Sequence, residues 1–170
     1  MERSWILVGM MGSGKSAVGR ALADASQRKF VDTDLLLQAR FGRPVSQIFE
    51  IYGESTFRDH ETSILKGLQP EPVVLATGGG IVLREENWTE LRRLGVIIFL
   101  HASEETLLDR LEKSKRKRPL LEAEDWKERA IAIYEKRLPT YLQADIIVPV
   151  DNLEIEEAAE RVSKAIQNHV

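Results

Sequence analysis

The sequence predicts an α/β fold built on a parallel sheet, and three observations point to it. Short apolar runs recur along the chain, helix-period stretches lie between them, and the first run leads into a glycine-rich turn that opens a helix. Continuous rather than alternating apolar runs suit strands covered on both faces, as parallel strands are. Alternation of such strands with amphipathic helices along the whole chain implies repeated strand–helix units. The length of 170 residues suits one domain, and 43% hydrophobic with 30% charged residues suits a globular one.

Trp5–Val8 is the first predicted strand, and Lys15–Ser26 follows as a helix with Val18, Ala21, Leu22 and Ala25 on one face. Phe30–Asp32 is a weaker strand, followed by a short helix over Leu35–Phe41. Val73–Ala76 and Val96–Leu100 are the third and fourth strands. Ser103 is placed to cap a helix over Glu104–Lys113, in which Leu107, Leu108 and Leu111 share a face. Pro139 falls within a helical stretch and is expected to kink or end it. Ile146–Val148 is the fifth strand, and Glu154–Asn168 closes the chain as a helix with Ile155, Ala158, Ala159, Val162 and Ile166 along one side. The pattern leaves the strand order open.

Composition removes several classes of function. A net charge of −3 speaks against a protein that coats nucleic acid. The absence of cysteine excludes a disulfide framework, a thiol nucleophile and cysteine-ligated metal. No apolar run approaches the roughly 20 residues that span a bilayer. The apolar stretch at the N-terminus runs directly into glycines and Lys15, unlike a signal peptide, so a cytoplasmic location is expected.

The strongest motif is GMMGSGKS, Gly9–Ser16, a complete G-x-x-x-x-G-K-[ST] phosphate loop between a predicted strand and a predicted helix. Gly9, Gly12 and Gly14 let backbone N–H groups converge on phosphate oxygens, and the helix N-terminus adds a positive dipole end. Lys15 is placed to reach the β- and γ-phosphates and Ser16 to ligate Mg²⁺. The chain therefore binds a nucleoside triphosphate. It carries no N/T-K-x-D motif of a small GTPase, and its third strand ends in Gly78–Gly80 rather than in the paired acids of a motor ATPase.

The metal carboxylate must then come from FVDTD, Phe30–Asp34, at the C-terminal end of the second strand. Strand periodicity puts Asp32 and Asp34 on one side, where a magnesium–phosphate centre and a substrate hydroxyl would separate the two charges. The alternative is that Asp34 caps the helix that follows. Arg58 and Glu61 are spaced for a local ion pair, which on a surface would be worth under about 1 kcal/mol. Three consecutive glycines after a strand suit close approach of a ligand to the main chain, with a loose turn as the alternative. Five of the six residues Lys113–Arg118 are basic, as in a mobile functional loop or a solvated helix end.

Taken together, GMMGSGKS, FVDTD, FRDHE, ATGGG, KRPLL and EKRLPTY, in this order and spacing, resemble the shikimate kinase family across essentially the whole chain. The resemblance implies a three-layer phosphate-loop fold: a five-stranded parallel sheet flanked by helices, with a substrate-binding region and a mobile lid at about 113–124. It implies ATP-dependent phosphorylation of the shikimate 3-hydroxyl, with Mg²⁺ as cofactor. By resemblance, Gly12, Ser13, Gly14, Lys15, Ser16 and Ala17 hold the nucleotide phosphates. Arg110 lies over the adenine, and Ser16 and Asp32 serve the metal. Asp34, Arg58, Gly79, Gly80 and Arg137 match the shikimate positions, and Arg118 matches a lid arginine closing on the phosphates. Lys15, Asp34 and Arg118 are the expected catalytic residues. Ala17 stands where a second hydroxyl residue is common, which puts one auxiliary phosphate contact in doubt. The family is commonly monomeric, and neither nucleic acid nor membrane is expected as a partner. A gluconate kinase would share the phosphate loop without needing the Asp34, Arg58, triple-glycine and Arg137 set. A non-catalytic binding module would be expected to lack Lys15, Asp34 or Arg118.

Overall fold

The structure, a computed structural model, describes residues 2–114 and 123–169. Five parallel strands form one sheet: β1 (Ser4–Val8), β2 (Lys29–Asp32), β3 (Val73–Ala76), β4 (Gly95–His101) and β5 (Ile146–Pro149), in the order β2-β3-β1-β4-β5. β1 lies at the centre, with Trp5 beside Val74 of β3 and Val96 of β4. The chain winds first to one side of β1 and then to the other, so the strand order reverses around β1. Ligands of open α/β sheets bind at the C-terminal ends of the strands near such a point.

Continuous apolar strands are buried on both faces where they are interior. Ile6, Leu7 and Val8 of β1 and Phe99 and Leu100 of β4 are fully buried. The edge strand β5 behaves differently: Ile146 and Val148 are buried, but Ile147 is 44% exposed. Its apolar run does not report two covered faces, because one side of β5 lacks a covering helix residue there.

Helix α1 (Lys15–Ser26) packs with α7 (Ile155–His169) on one side of the sheet. Its buried stripe is Lys15, Val18, Gly19, Leu22 and Ala23; of the predicted set Val18 and Leu22 are buried, Ala21 is partly buried against the core and Ala25 is exposed. The shift follows from Gly19, where a Cβ would stand 2.8 Å from the Phe30 ring, so the helix rests on its glycine. Helix α2 (Thr33–Phe41) is followed by α3 (Val45–Gly67), which is interrupted at Gly53 with φ of 83°. Helix α4 (Glu85–Leu94) covers β4 from the other side, against α3. Helices α5 (Glu104–Lys113) and α6 (Trp126–Tyr141) complete that layer. The Ser103 hydroxyl accepts from the Thr106 N–H and caps α5 as expected. α6 does not end at Pro139 but runs on to Tyr141. The expected lid falls mostly on 115–122, so it and Arg118 lie outside the described residues.

One buried polar chain ties the site-bearing loop to the helices below it. The Thr62 hydroxyl of α3 donates to Asn87 Oδ1 of α4 at 2.8 Å, and Asn87 Nδ2 donates to the Ile81 carbonyl at 2.8 Å. Ile81 begins a single 3-10 turn, Ile81–Leu83, directly after the triple glycine.

Candidate active site

The phosphate loop leaves β1 and enters α1 through Gly14, whose φ of 92° lies in the left-handed region that side chains disfavour. No side chain caps α1. Its first N–H groups therefore meet either water or an anion. Lys15 is 9% exposed, and its ammonium donates to the Gly9 carbonyl at 2.7 Å and the Met10 carbonyl at 3.0 Å. Two backbone acceptors thus hold the charge over the loop. Arg110 reaches across from α5 and donates to the Ser13 carbonyl at 2.9 Å, so its guanidinium braces the loop's backbone.

Asp32 and Asp34 do not share a side by strand alternation, because β2 ends at Asp32 and Asp34 already lies in the first turn of α2. Asp32, not Asp34, caps that helix: its Oδ1 accepts from the N–H groups of Asp34 at 2.8 Å and Leu35 at 3.3 Å. Its Oδ2 accepts from the Ser16 hydroxyl at 2.9 Å. Hard oxygens from the phosphate-loop serine and one carboxylate suit Mg²⁺, which binds through one or two carboxylates together with substrate phosphates. Among the described residues no three His, Cys, Asp or Glu side chains gather as an all-protein metal site.

Asp34 is carried instead to the triple glycine. Its Oδ1 lies 2.8 Å from where a Cβ on Gly78 would stand, and Glu61 Oε2 lies 3.0 Å from the same point. A side chain at Gly78 would thus displace two carboxylates. At Gly80 a Cβ would run into the Arg58 guanidinium, and at Gly79 it would stand 3.6 Å from Arg137 Nη1. Residues from α2, α3 and α6 therefore converge on three bare peptide units.

The loop is pinned, not loose. The Thr77 hydroxyl donates to the Leu7 carbonyl at 2.8 Å, the Gly78 N–H donates to Thr33 Oγ1 at 3.0 Å, and Tyr141 donates to the Gly79 carbonyl at 2.6 Å. The Arg58–Glu61 pair is equally unlike a surface pair. Arg58 Nη1 and Glu61 Oε1 are 2.6 Å apart, with 12% and 1% of their side chains exposed. Burial pushes the Glu61 carboxyl up to about 7, against the pull of the Arg58 charge and hydrogen bond; Asp34 raises it further and Arg137 lowers it. Glu61 Oε2 is buried with no hydrogen-bond partner among the described residues. Glu61 is thus a structural support for Arg58 that a local reading takes for solvent-exposed.

Sequence reading passed over Tyr141 and Thr33 as well. Tyr141 carries a signal in its spacing, four residues after Arg137 and so on the same face of α6. Of the histidines, His101 stacks on Phe99 and His60 meets the edge of Phe41, so both are packing residues. Among the described residues no helix is long and apolar enough to cross a membrane.

Comparisons with known proteins agree with this arrangement. A family model described as shikimate kinase matches residues 11–167. A shikimate kinase of Thermodesulfovibrio yellowstonii is 42% identical over 160 residues, covering 94% of this chain and 92% of that protein. One from Burkholderia lata is 47% identical over 143 residues, covering 83% and 77%. The solved structure of shikimate kinase from Acinetobacter baumannii in complex with shikimate has a TM-score of 0.92 at 32% identity, covering 99% of this chain and 94% of that one. A gluconokinase from Sinorhizobium meliloti has a TM-score of 0.60 at 20% identity over 98% and 94%, a likeness of fold alone. A family model over most of the chain and relatives matched over nearly its whole length show that the chain belongs to the shikimate kinase family.

Proposed function

We propose that the cleft between the phosphate loop and Gly78–Gly80 is where shikimate meets the terminal phosphate of ATP. The enzyme transfers the γ-phosphoryl group of ATP to the 3-hydroxyl of shikimate, a step of aromatic amino acid biosynthesis. One observation carries the site assignment: Arg58, Arg137 and Asp34 reach the same three glycines from three different helices, beside the phosphate loop. Shikimate is a triol with one carboxylate. Arginine is the preferred planar, bidentate partner for a carboxylate, and an aspartate accepts from hydroxyls.

On this reading Arg58 and Arg137 hold the carboxylate over Gly79 and Gly80, while Asp34 accepts from the ring hydroxyl that attacks. The shikimate oxygen bonds to the γ-phosphorus as the bond to the β–γ bridging oxygen breaks, and ADP leaves. In a loose transition state the hydroxyl proton departs late, so Asp34 serves by orientation more than by basicity and passes the proton to solvent. Gly12, Gly14 and Ala17 supply backbone N–H groups to the nucleotide, whereas the Ser13 N–H is turned to the Met10 carbonyl at 3.1 Å and shapes the loop, and Lys15 supplies charge to the phosphates. Arg110 braces the loop and faces the nucleotide. Mg²⁺, held through Ser16 and Asp32 together with the phosphates, would neutralise charge on the β- and γ-oxygens. By resemblance, Arg118 belongs to a lid at about 113–124 that closes on the same phosphates. By resemblance the enzyme is a cytoplasmic monomer without a membrane partner, and the charge of −3 speaks against a nucleic-acid coat.

The test is Mg²⁺-dependent ADP release measured in parallel with shikimate, with gluconate and with no acceptor. Release that depends on shikimate, with the other two at background, is expected. No release with shikimate, from protein shown to bind ATP, would mean that the cleft serves another acceptor.

A further inference from the structure

Tyr141 is fully buried, its ring stacked on Phe99 at 5.0 Å and 14°. Burial raises its pKa, so the hydroxyl stays a donor, and its proton goes to the Gly79 carbonyl at 2.6 Å. The positive charge of Arg137 lies near the same hydroxyl and lowers its pKa against the larger effect of burial. One phenol thus grips the main chain of the expected acceptor site, from a position 62 residues away from Gly79 in sequence.

The peptide unit it grips has a fixed geometry. In a planar trans peptide the carbonyl of Gly79 and the N–H of Gly80 point in opposite directions. No cis peptide bond occurs among the described residues. Holding the Gly79 carbonyl back toward α6 therefore turns the Gly80 N–H the other way. The remaining anchors of the loop act elsewhere: Thr77 and Gly78 before it, and the Gly80 carbonyl, which accepts from the Leu83 N–H at 3.1 Å, after it. Glycines at 79 and 80 have no side chain to resist rotation of this peptide, so an external clamp is what sets it.

We infer that Tyr141 is a positioning residue for the acceptor, fixing the Gly79–Gly80 peptide before shikimate arrives. The inference rests on the acceptor-site reading above. Tyr141→Phe keeps the stack on Phe99 and removes only the hydroxyl. It should raise the KM for shikimate roughly fivefold or more, the loss attached to one hydrogen bond that leaves a buried carbonyl unpaired. The KM for ATP should stay within about twofold, because the clamp does not touch the phosphate loop. Nucleotide affinity measured on the same preparation reports whether the phosphate-loop half is folded.

Arg137→Ala, assayed alongside, separates the two levels of the argument. If Arg137→Ala raises the shikimate KM and Tyr141→Phe does not, the inference about Tyr141 is wrong and the site reading stands. If neither moves it, the site reading itself fails. A Tyr141→Phe protein that loses affinity for both substrates equally would make Tyr141 a core residue only.

Discussion

Lys15→Ala should lower kcat at least about 100-fold, with protein that remains folded. The ammonium is held by the Gly9 and Met10 carbonyls, so its charge is in place before the nucleotide binds. A preorganised charge needs no rearrangement as negative charge shifts between the β- and γ-phosphates, which is why its loss falls on the transition state. Truncation to alanine removes the charge and the Gly9 carbonyl's ammonium donor, while the Met10 carbonyl keeps the Ser13 N–H at 3.1 Å, so ATP affinity should weaken too. Steady-state kinetics with both substrates varied would show this. Turnover near that of the wild type would remove the phosphate-loop assignment.

Arg58→Ala should raise the KM for shikimate by about 100-fold and leave the KM for ATP within about twofold, the scale of a lost charge-assisted hydrogen bond to a carboxylate. The effect is specific because Arg58 stands over Gly80 and not over the phosphate loop. Removing one partner of a buried pair normally costs several kcal/mol. Here the remaining partner softens that cost. Burial already holds the Glu61 carboxyl near 7, and without Arg58 it would rise further and stay neutral. The variant should therefore fold, with Glu61 protonated. An equal loss for both substrates would count against a dedicated acceptor contact.

Much of this arrangement was readable from the chain alone, and the limits of that reading have physical causes. The phosphate loop is a local object, made by glycine backbone freedom and a helix start within eight residues, and it was legible in full. The interior strands were legible because burial on both faces writes itself as an unbroken apolar run. Edge position does not, which is why β5 looked like the others. Strand alternation does not place Asp34: the strand stops at Asp32, and the helix that Asp32 caps turns Asp34 toward Gly78. Nothing in strand periodicity reports where a strand ends.

The Arg58–Glu61 spacing was plain, but its burial depends on how α3 lies under the triple-glycine loop, a tertiary fact. Helix α4 left a stripe of Asn87, Trp88, Leu91 and Leu94, all buried, that a closer reading of its period would have found. The Tyr141–Gly79 contact joins two elements far apart in the chain, and only the α6 spacing from Arg137 hinted at it. Arg118 lies outside the described residues, so its part rests on the resemblance of the KRPLL segment.

The role proposed for Arg58 and Arg137, beside Gly80 and Gly79, is to recognise the carboxylate of shikimate. Equilibrium titration of the wild-type enzyme with shikimate and with its methyl ester tests this without altering the protein. The ester keeps the ring and all three hydroxyls, removes the charge and caps one carboxylate oxygen with a methyl group. Loss of two charge-assisted hydrogen bonds predicts at least roughly 100-fold weaker binding of the ester. Equal affinity for acid and ester would contradict the account, because neither arginine would then be reading the carboxylate.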